Sequence, residues 1–159
     1  MHLTLYSPDW NHARRLALAL VCALLAQVAM AENSSYYSRD GLAIEGYDPV
    51  AYFTESKARL GSSEHSYEWM DATWRFASAA NREAFMTDPE RYAPQYGGYC
   101  AWAAAQNYLF EIDPMAFSVY KDKLYLNAGF GTRVRWALSK DSNIAKGDKN
   151  WPGLRQRLP

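Results

Sequence analysis

The first 31 residues constrain the fold most, because they have the layout of a secretory signal peptide. Two adjacent arginines precede an apolar run over residues 16–28, and small residues end the segment at Ala29 and Ala31. The run has 13 residues, fewer than the roughly 20 that a membrane-spanning helix needs. We therefore predict cleavage after Ala31 and a secreted protein of the bacterial periplasm, with no stable membrane anchor after cleavage. The alternative is an uncleaved anchor.

Removal of this segment leaves the chain with one cysteine, Cys100, and one histidine, His65. An intramolecular disulfide needs two cysteines, and a closed zinc site needs four ligands, commonly cysteine and histidine. Neither an intramolecular disulfide nor a closed zinc site can therefore stabilise the remaining chain. The fold must depend on its own packing.

Charge and aromatic content exclude two further classes of protein. The chain has 17 basic and 17 acidic residues, whereas a general nucleic-acid binder carries a basic excess. Its 12 Tyr, 6 Trp and 6 Phe are too many for a disordered chain. We predict a loose arm over residues 32–40 and one domain over residues 41–159.

The charges are unevenly distributed along that domain. Residues 32–113 contain 13 acidic and 6 basic side chains, and residues 114–159 contain 3 acidic and 9 basic ones. The two halves either complement each other as solvated faces within the fold, or the basic C-terminal half forms a surface for an acidic protein partner.

The residue pattern predicts a small α+β domain with two β-hairpins and short helices. Aromatic and β-branched residues flank Asp71-Ala72, which predicts a hairpin over residues 67–77. A second hairpin is predicted over residues 117–127, with Lys121-Asp122 at its turn.

Capping residues predict where helices begin in the middle of the chain. Ser78 is expected to cap a helix over residues 79–86. Asp88 is expected to cap another, with Pro89 at its first helical position. An alanine-rich helix is predicted over residues 100–106.

The C-terminal part has fewer signals. Thr132 is expected to cap a helix that continues to about Lys140. After that helix, Trp151 and Leu154 are the large apolar residues expected to hold the tail against the body of the domain.

Three segments together resemble the YHS domain family. They are Tyr47-Asp48-Pro49-Val50, His65-Ser66, and Trp74-Arg75-Phe76-Ala77-Ser78 followed by Phe85 and Asp88-Pro89-Glu90-Arg91-Tyr92. Their order and spacing agree with that family's opening, the start of its hairpin and its hairpin–helix ending. The Gly97-Gly98-Tyr99-Cys100-Ala101 segment resembles a longer secreted subgroup. The resemblance implies a YHS-like α+β scaffold with a C-terminal extension.

YHS domains are similar to heavy-metal-binding modules whose ligands are cysteines. The resemblance places those ligands at Ala51, at Ala77, and at Ala80 or Asn81, and none of these is a cysteine. Thiolates are the ligands that select soft metals such as Cu(I). What the resemblance implies here is therefore the scaffold, and we expect aromatic packing to stabilise it, at about 1.5–3 kcal/mol for each buried ring.

Cys100 is the residue on which a soft-metal function would rest. It follows two glycines and opens a predicted helix, whose N-terminus favours a thiolate. We predict a metal site at Cys100 with or without His65, and copper as the favoured ion. Methionine side chains at positions 70, 86 and 115 are further candidate ligands. The alternative is a buried, structural Cys100 and a hydrogen-bonding His65 in a polar loop.

The sequence contains no arrangement that indicates catalysis. One histidine remains, no Gly-x-Ser-x-Gly elbow is present, and Gly97-Gly98 lacks the context of a phosphate-binding loop. We predict that the protein is not an enzyme. Its predicted function is metal handling, and the alternatives are a metal-free binding or protein-interaction module and a redox-sensing thiol.

Overall fold

A four-stranded sheet organises the N-terminal half of the domain. The structure is a computed structural model, and it describes residues 35–159. The strands are β1 (Ser38–Arg39), β2 (Leu42–Ala43), β3 (Ser62–Trp69) and β4 (Ala72–Phe76), in the order β1-β2-β4-β3. β1 is antiparallel to β2, β2 is parallel to β4, and β3 and β4 form an antiparallel hairpin.

The β3–β4 hairpin confirms the first predicted hairpin. Its turn is Met70-Asp71, one residue earlier than expected, and both residues have positive φ, 50° and 58°. Two successive left-handed residues match the right-handed twist of the flanking strands. β3 begins earlier than the predicted strand, at Ser62, and its pairing with β4 is irregular between Ser62 and Ser66.

The second predicted hairpin is also confirmed. β5 (Asp113–Tyr120) pairs antiparallel with β6 (Lys123–Asn127), and the two form a separate two-stranded sheet. Lys121 and Asp122 form the turn with φ of 50° and 55°.

Four short α-helices and two 3₁₀ turns connect these strands. The helices are α1 (Ala51–Thr54), α2 (Ala79–Thr87), α3 (Pro89–Tyr92) and α4 (Ala101–Ala105), and the turns are Ile44–Gly46 and Tyr96–Gly98. The predicted caps are confirmed, because Ser78 Oγ accepts from Asn81 N at 3.1 Å and Asp88 Oδ1 from Arg91 N at 3.3 Å.

Two helices complete the C-terminal end, α5 (Phe130–Leu138) and α6 (Lys140–Arg155). The prediction that Thr132 caps a helix was wrong. Gly129 is the N-cap of α5, and Thr132 Oγ1 donates to Gly129 O at 2.8 Å from inside the first turn. The tail forms α6, for which no helix was predicted. The prediction that Trp151 and Leu154 hold it against the body is confirmed, because Leu154 is buried and Trp151 packs against the core.

The described part of the expected arm, residues 35–40, contains ordered structure. β1 lies there, and Tyr37 is only 6% exposed. Tyr37 N donates to Gly97 O at 2.6 Å, and its ring contacts Tyr99 edge-on at 5.4 Å between centroids. The Tyr37 ring therefore attaches this polar segment to the domain, which the polar composition of the segment did not predict.

The architecture is α+β, as predicted, with two adjoining groups of buried residues. The larger lies around the first sheet, where Phe85 of α2 contacts Trp74 and Phe76 of β4 at 5.0 and 5.2 Å between centroids. The smaller joins Tyr125, Trp136 and Leu154. Within residues 35–159 no helix is long and apolar enough to cross a membrane. The predicted signal peptide, residues 1–31, lies outside the described residues.

Candidate functional site

Cys100 lies at the start of α4 and is buried. The turn before it contains Gly97 and Gly98 with φ of 57° and 77°, and a Cβ on Gly97 would approach Ser35 O to 2.8 Å. These left-handed, crowded positions require glycine. The thiol is 1% exposed, and Ala128 N donates to its sulfur at 3.3 Å. Cys100 is thus packed and hydrogen-bonded at the junction between β6 and α4.

Asn127 is the second polar residue of this junction, and the sequence analysis did not identify it. Its side chain is fully buried, and its Oδ1 accepts from Trp102 N at 3.2 Å and lies 3.9 Å from Cys100 Sγ. Its Nδ2 has no hydrogen-bond partner among the described residues. Asn127 therefore fixes the start of α4 to the end of β6 through its carbonyl oxygen.

His65 lies in the irregular part of β3, in the four-stranded sheet, where it is half-buried. No hydrogen bond within residues 35–159 joins it to Cys100. The candidate methionines are exposed, and Met115 is 59% exposed. The same residues contain no group of three or more His, Cys, Asp and Glu side chains arranged to hold a metal ion. The metal role of Cys100 and His65 remains a prediction.

Asp48 is a buried carboxylate at the centre of four hydrogen bonds. Its Oδ1 accepts from Val50 N at 2.8 Å and Ala51 N at 3.3 Å. Its Oδ2 accepts from Ala77 N at 2.8 Å and Asn81 Nδ2 at 2.6 Å. The side chain is 0% exposed. It joins α1, the end of β4 and the first turn of α2.

The partners of Asp48 are the positions at which the resemblance expects metal ligands. Ala51, Ala77 and Asn81 all donate to this one carboxylate. Ala51 and Ala77 donate through backbone N–H groups, which any residue there except proline would supply, and Asn81 donates through its side chain. Hydrogen bonds to one acid therefore connect the three segments. In the sequence, the Asp48-Pro49 dipeptide indicates only a local turn, and the long-range partners of Asp48 are visible only in the fold.

A groove of about 460 Å³ lies beside α5. Its walls include Tyr52 and Phe117, whose rings contact each other at 4.7 Å between centroids. Phe130 and Val134 of α5 line its rim and are 73% and 40% exposed. Burial of the Tyr52 phenol raises its pKa well above the ordinary value. A neutral phenol and several apolar side chains therefore give the groove a largely apolar surface.

Two cations line the same groove. Arg133 lies over the Phe117 ring at 5.9 Å and Lys140 over the Tyr120 ring at 4.5 Å. Both are half-buried, and neither forms an ion pair with another described residue. None of the lining residues is acidic. The lining of the groove therefore places two cations beside aromatic rings, with no acidic side chain in the lining itself.

Asp141, which follows Lys140 in the chain, interacts with Lys121 and Tyr120. Asp141 Oδ1 accepts from Lys121 Nζ at 3.0 Å and from the Tyr120 hydroxyl at 3.2 Å. The hydrogen bond from Lys121 is the main cause that lowers the pKa of Asp141 below its ordinary value. Lys121 forms the ion pair with Asp141, and Lys140 interacts with the same carboxylate only as a weaker Coulombic contribution.

Comparison with known proteins gives no match to a family model, a curated protein or a solved structure. The candidate sites therefore rest on the chain's own geometry. One sequence signal does point to the groove, the basic excess of residues 114–159. The basic excess did not indicate that aromatic rings would lie beside Arg133 and Lys140.

Proposed function

We propose that this protein is a non-catalytic binding module that holds an anionic ligand in the groove beside α5. The carrying observation is the pair of half-buried cations, Arg133 and Lys140, which line an aromatic groove without an ion-pair partner in the described residues. A partly desolvated cation attracts an anion more strongly than a fully solvated one. The groove therefore supplies both the positive charge and the partial exclusion of water that favour the binding of an anion.

The arrangement around Asp48 supports the metal-free part of this proposal. Its carboxylate accepts hydrogen bonds from Ala51 N, Ala77 N and Asn81 Nδ2, and none of these three residues has a thiolate for a soft metal. We propose that the chain has kept a YHS-like scaffold and uses it to present the groove. The signal-like first 31 residues place this activity, in our proposal, in the periplasm.

Ligand binding is tested with a fluorescent aromatic anion, anilinonaphthalene sulfonate, titrated into the purified protein. The proposal expects saturable binding that weakens as salt is added. In the double variant Arg133→Gln, Lys140→Gln, the affinity is expected to fall about tenfold or more. Arg135→Gln is the matched control, since Arg135 is on the same helix but lies over Trp102 at 5.8 Å, away from the groove. Equal affinities for the double variant and the wild type would overturn the proposal.

Copper handling through Cys100, with or without His65, is the second candidate function. It is favoured by the backbone N–H of Ala128 that donates to the Cys100 sulfur, since such contacts also support metal-bound thiolates. The burial of the thiol opposes it, because an entering ion needs access.

An anaerobic Cu(I) titration against a competing chelator separates the two candidates. Wild type, Cys100→Ser and His65→Ala are compared under reducing conditions. The metal-free proposal expects no saturable binding that depends on Cys100. Saturable binding that is lost in Cys100→Ser would establish the copper function, and a parallel loss in His65→Ala would make His65 a second ligand.

A further inference from the structure

We infer that the ligand of the groove is an amphipathic organic anion of the carboxylate class. Its carboxylate would lie on Arg133 and Lys140, and its apolar body on Phe117, Phe130 and Val134. This inference rests on the proposed function, since it names the chemical class of the anion held by that same groove.

The exposed apolar side chains of the rim require an apolar ligand body. Phe130 is 73% exposed, Val134 40% and Val119 38%, and all three line the groove. A contiguous apolar surface beside a cavity is a common mark of a binding site. A small inorganic anion would leave these side chains in water, so the charges alone do not account for the groove.

The geometry of Arg133 suits a carboxylate head. Its Nε donates to Ser118 Oγ at 3.4 Å, which orients the guanidinium. Its two terminal nitrogens have no hydrogen-bond partner among the described residues, and together they form the planar fork that a carboxylate accepts. Lys140 adds a point charge in the same groove. A single carboxylate could therefore form directional hydrogen bonds with Arg133 and a less directional electrostatic interaction with Lys140.

The size of the groove favours a small molecule over a protein segment. Its volume of about 460 Å³ lies within the range of about 300–1,000 Å³ that small-molecule sites occupy. Tyr52 and Phe117, whose rings are tilted by 53° to each other, form an aromatic wall, and the half-buried Phe117 ring offers its apolar surface to an alkyl chain or a ring. A basic and apolar pocket of this kind complements a carboxylate with a short hydrocarbon body.

Calorimetric titration with decanoate, below its micelle-forming concentration, tests the inference. Decanol tests the need for the charge, and acetate tests the need for the body. We expect decanoate to bind about tenfold or more tighter than either. Arg133→Gln is expected to weaken decanoate but not decanol, and Phe130→Ala to weaken decanoate while leaving acetate unchanged. Because both side chains are at the surface, the thermal midpoints of these variants verify folding, and Arg135→Gln is the unchanged control.

Each outcome of this experiment has one meaning. Decanol that binds as well as decanoate would overturn the role of the charge, and acetate that binds as well would overturn the role of the body. If anilinonaphthalene sulfonate binds in the groove and decanoate does not, this inference fails and the proposed function stands. If neither binds, both fail.

Discussion

Asp48 combines hydrogen bonds to its near neighbours in the chain with hydrogen bonds to distant residues. An Asp-Pro dipeptide predicts a turn, and Asp48 does accept from Val50 N and Ala51 N close by. Its second oxygen, however, accepts from residues 29 and 33 positions away. A fully buried carboxylate is stable only when such donors surround it. The sequence shows the local half of this arrangement, and the distant half depends on how β4 and α2 pack.

Replacement of Asp48 should therefore cost far more than replacement of Asp88, an exposed aspartate that also precedes a proline. We expect Asp48→Ala to lower the free energy of unfolding by about 3–5 kcal/mol, since it leaves several buried donors without an acceptor. The matched control Asp88→Ala removes an exposed N-cap and should cost about 0.5–2 kcal/mol. Urea denaturation of both variants measures the difference. Similar losses would contradict the central role of Asp48.

Helices and strands with local signals were predictable, and those that depend on packing were not. Ser78 and Asp88 identified the starts of α2 and α3, because a cap acts on backbone groups two or three residues away. α6 gave no such signal, since Gly147, Pro152 and Gly153 all disfavour a helix interior. Its stability comes from tertiary contact, including Leu154 at 1% exposure and the approach of Gly147 to Tyr96.

Two glycines of α6 should respond to alanine in opposite ways. A Cβ on Gly147 would lie 2.6 Å from the Tyr96 hydroxyl, which donates to Asp148 Oδ1 at 3.0 Å. Tyr96 is buried, so its displacement in Gly147→Ala should cost about 1–3 kcal/mol. Gly153 has open space around it, so Gly153→Ala should stabilise by about 0.5–1 kcal/mol. Thermal unfolding of the two variants gives the signs, and stabilisation by Gly147→Ala would contradict the packing argument.

Across the whole molecule, aromatic residues contribute both to the core and to the groove. Composition predicted an ordered, aromatic core, and the contacts of Phe85 in the first sheet confirm it. It did not predict that Phe117 and Tyr120 would lie beside Arg133 and Lys140. That juxtaposition brings β5 together with α5 and α6, which are joined only by the tertiary fold. Cys100 and His65 are identifiable in the sequence as rare residues, but the tertiary fold places one at the start of α4 and the other in β3.

Buried tyrosines should make the stability of the whole domain sensitive to alkaline pH. Burial, followed by the hydrogen bond to Glu45, raises the pKa of Tyr37 to about 12, and burial raises that of Tyr125 to about 12. The unfolded value is about 10. Because the folded pKa is higher, this stabilisation is fully present below about pH 10 and is lost as the pH rises towards 12.

Urea denaturation across this pH range measures the effect, and tyrosinate absorbance reports the ionisation. Tyr37→Phe and Tyr125→Phe should each reduce the slope of stability against pH, since each removes one such phenol. An unchanged slope in both variants would show that these tyrosines are not the cause.

The carboxylate of Asp48 also couples segments that are far apart in the chain. Two of its four hydrogen bonds come from the nearby backbone N–H groups of Val50 and Ala51. The other two come from Ala77 and Asn81, which are in position only when the β3–β4 hairpin is closed and α2 has begun. Loss of these two donors would leave a buried carboxylate incompletely solvated, which is costly. We therefore expect the Asp-Pro turn, the hairpin and the start of α2 to open together as one cooperative unit, with a shared opening free energy in native-state hydrogen exchange.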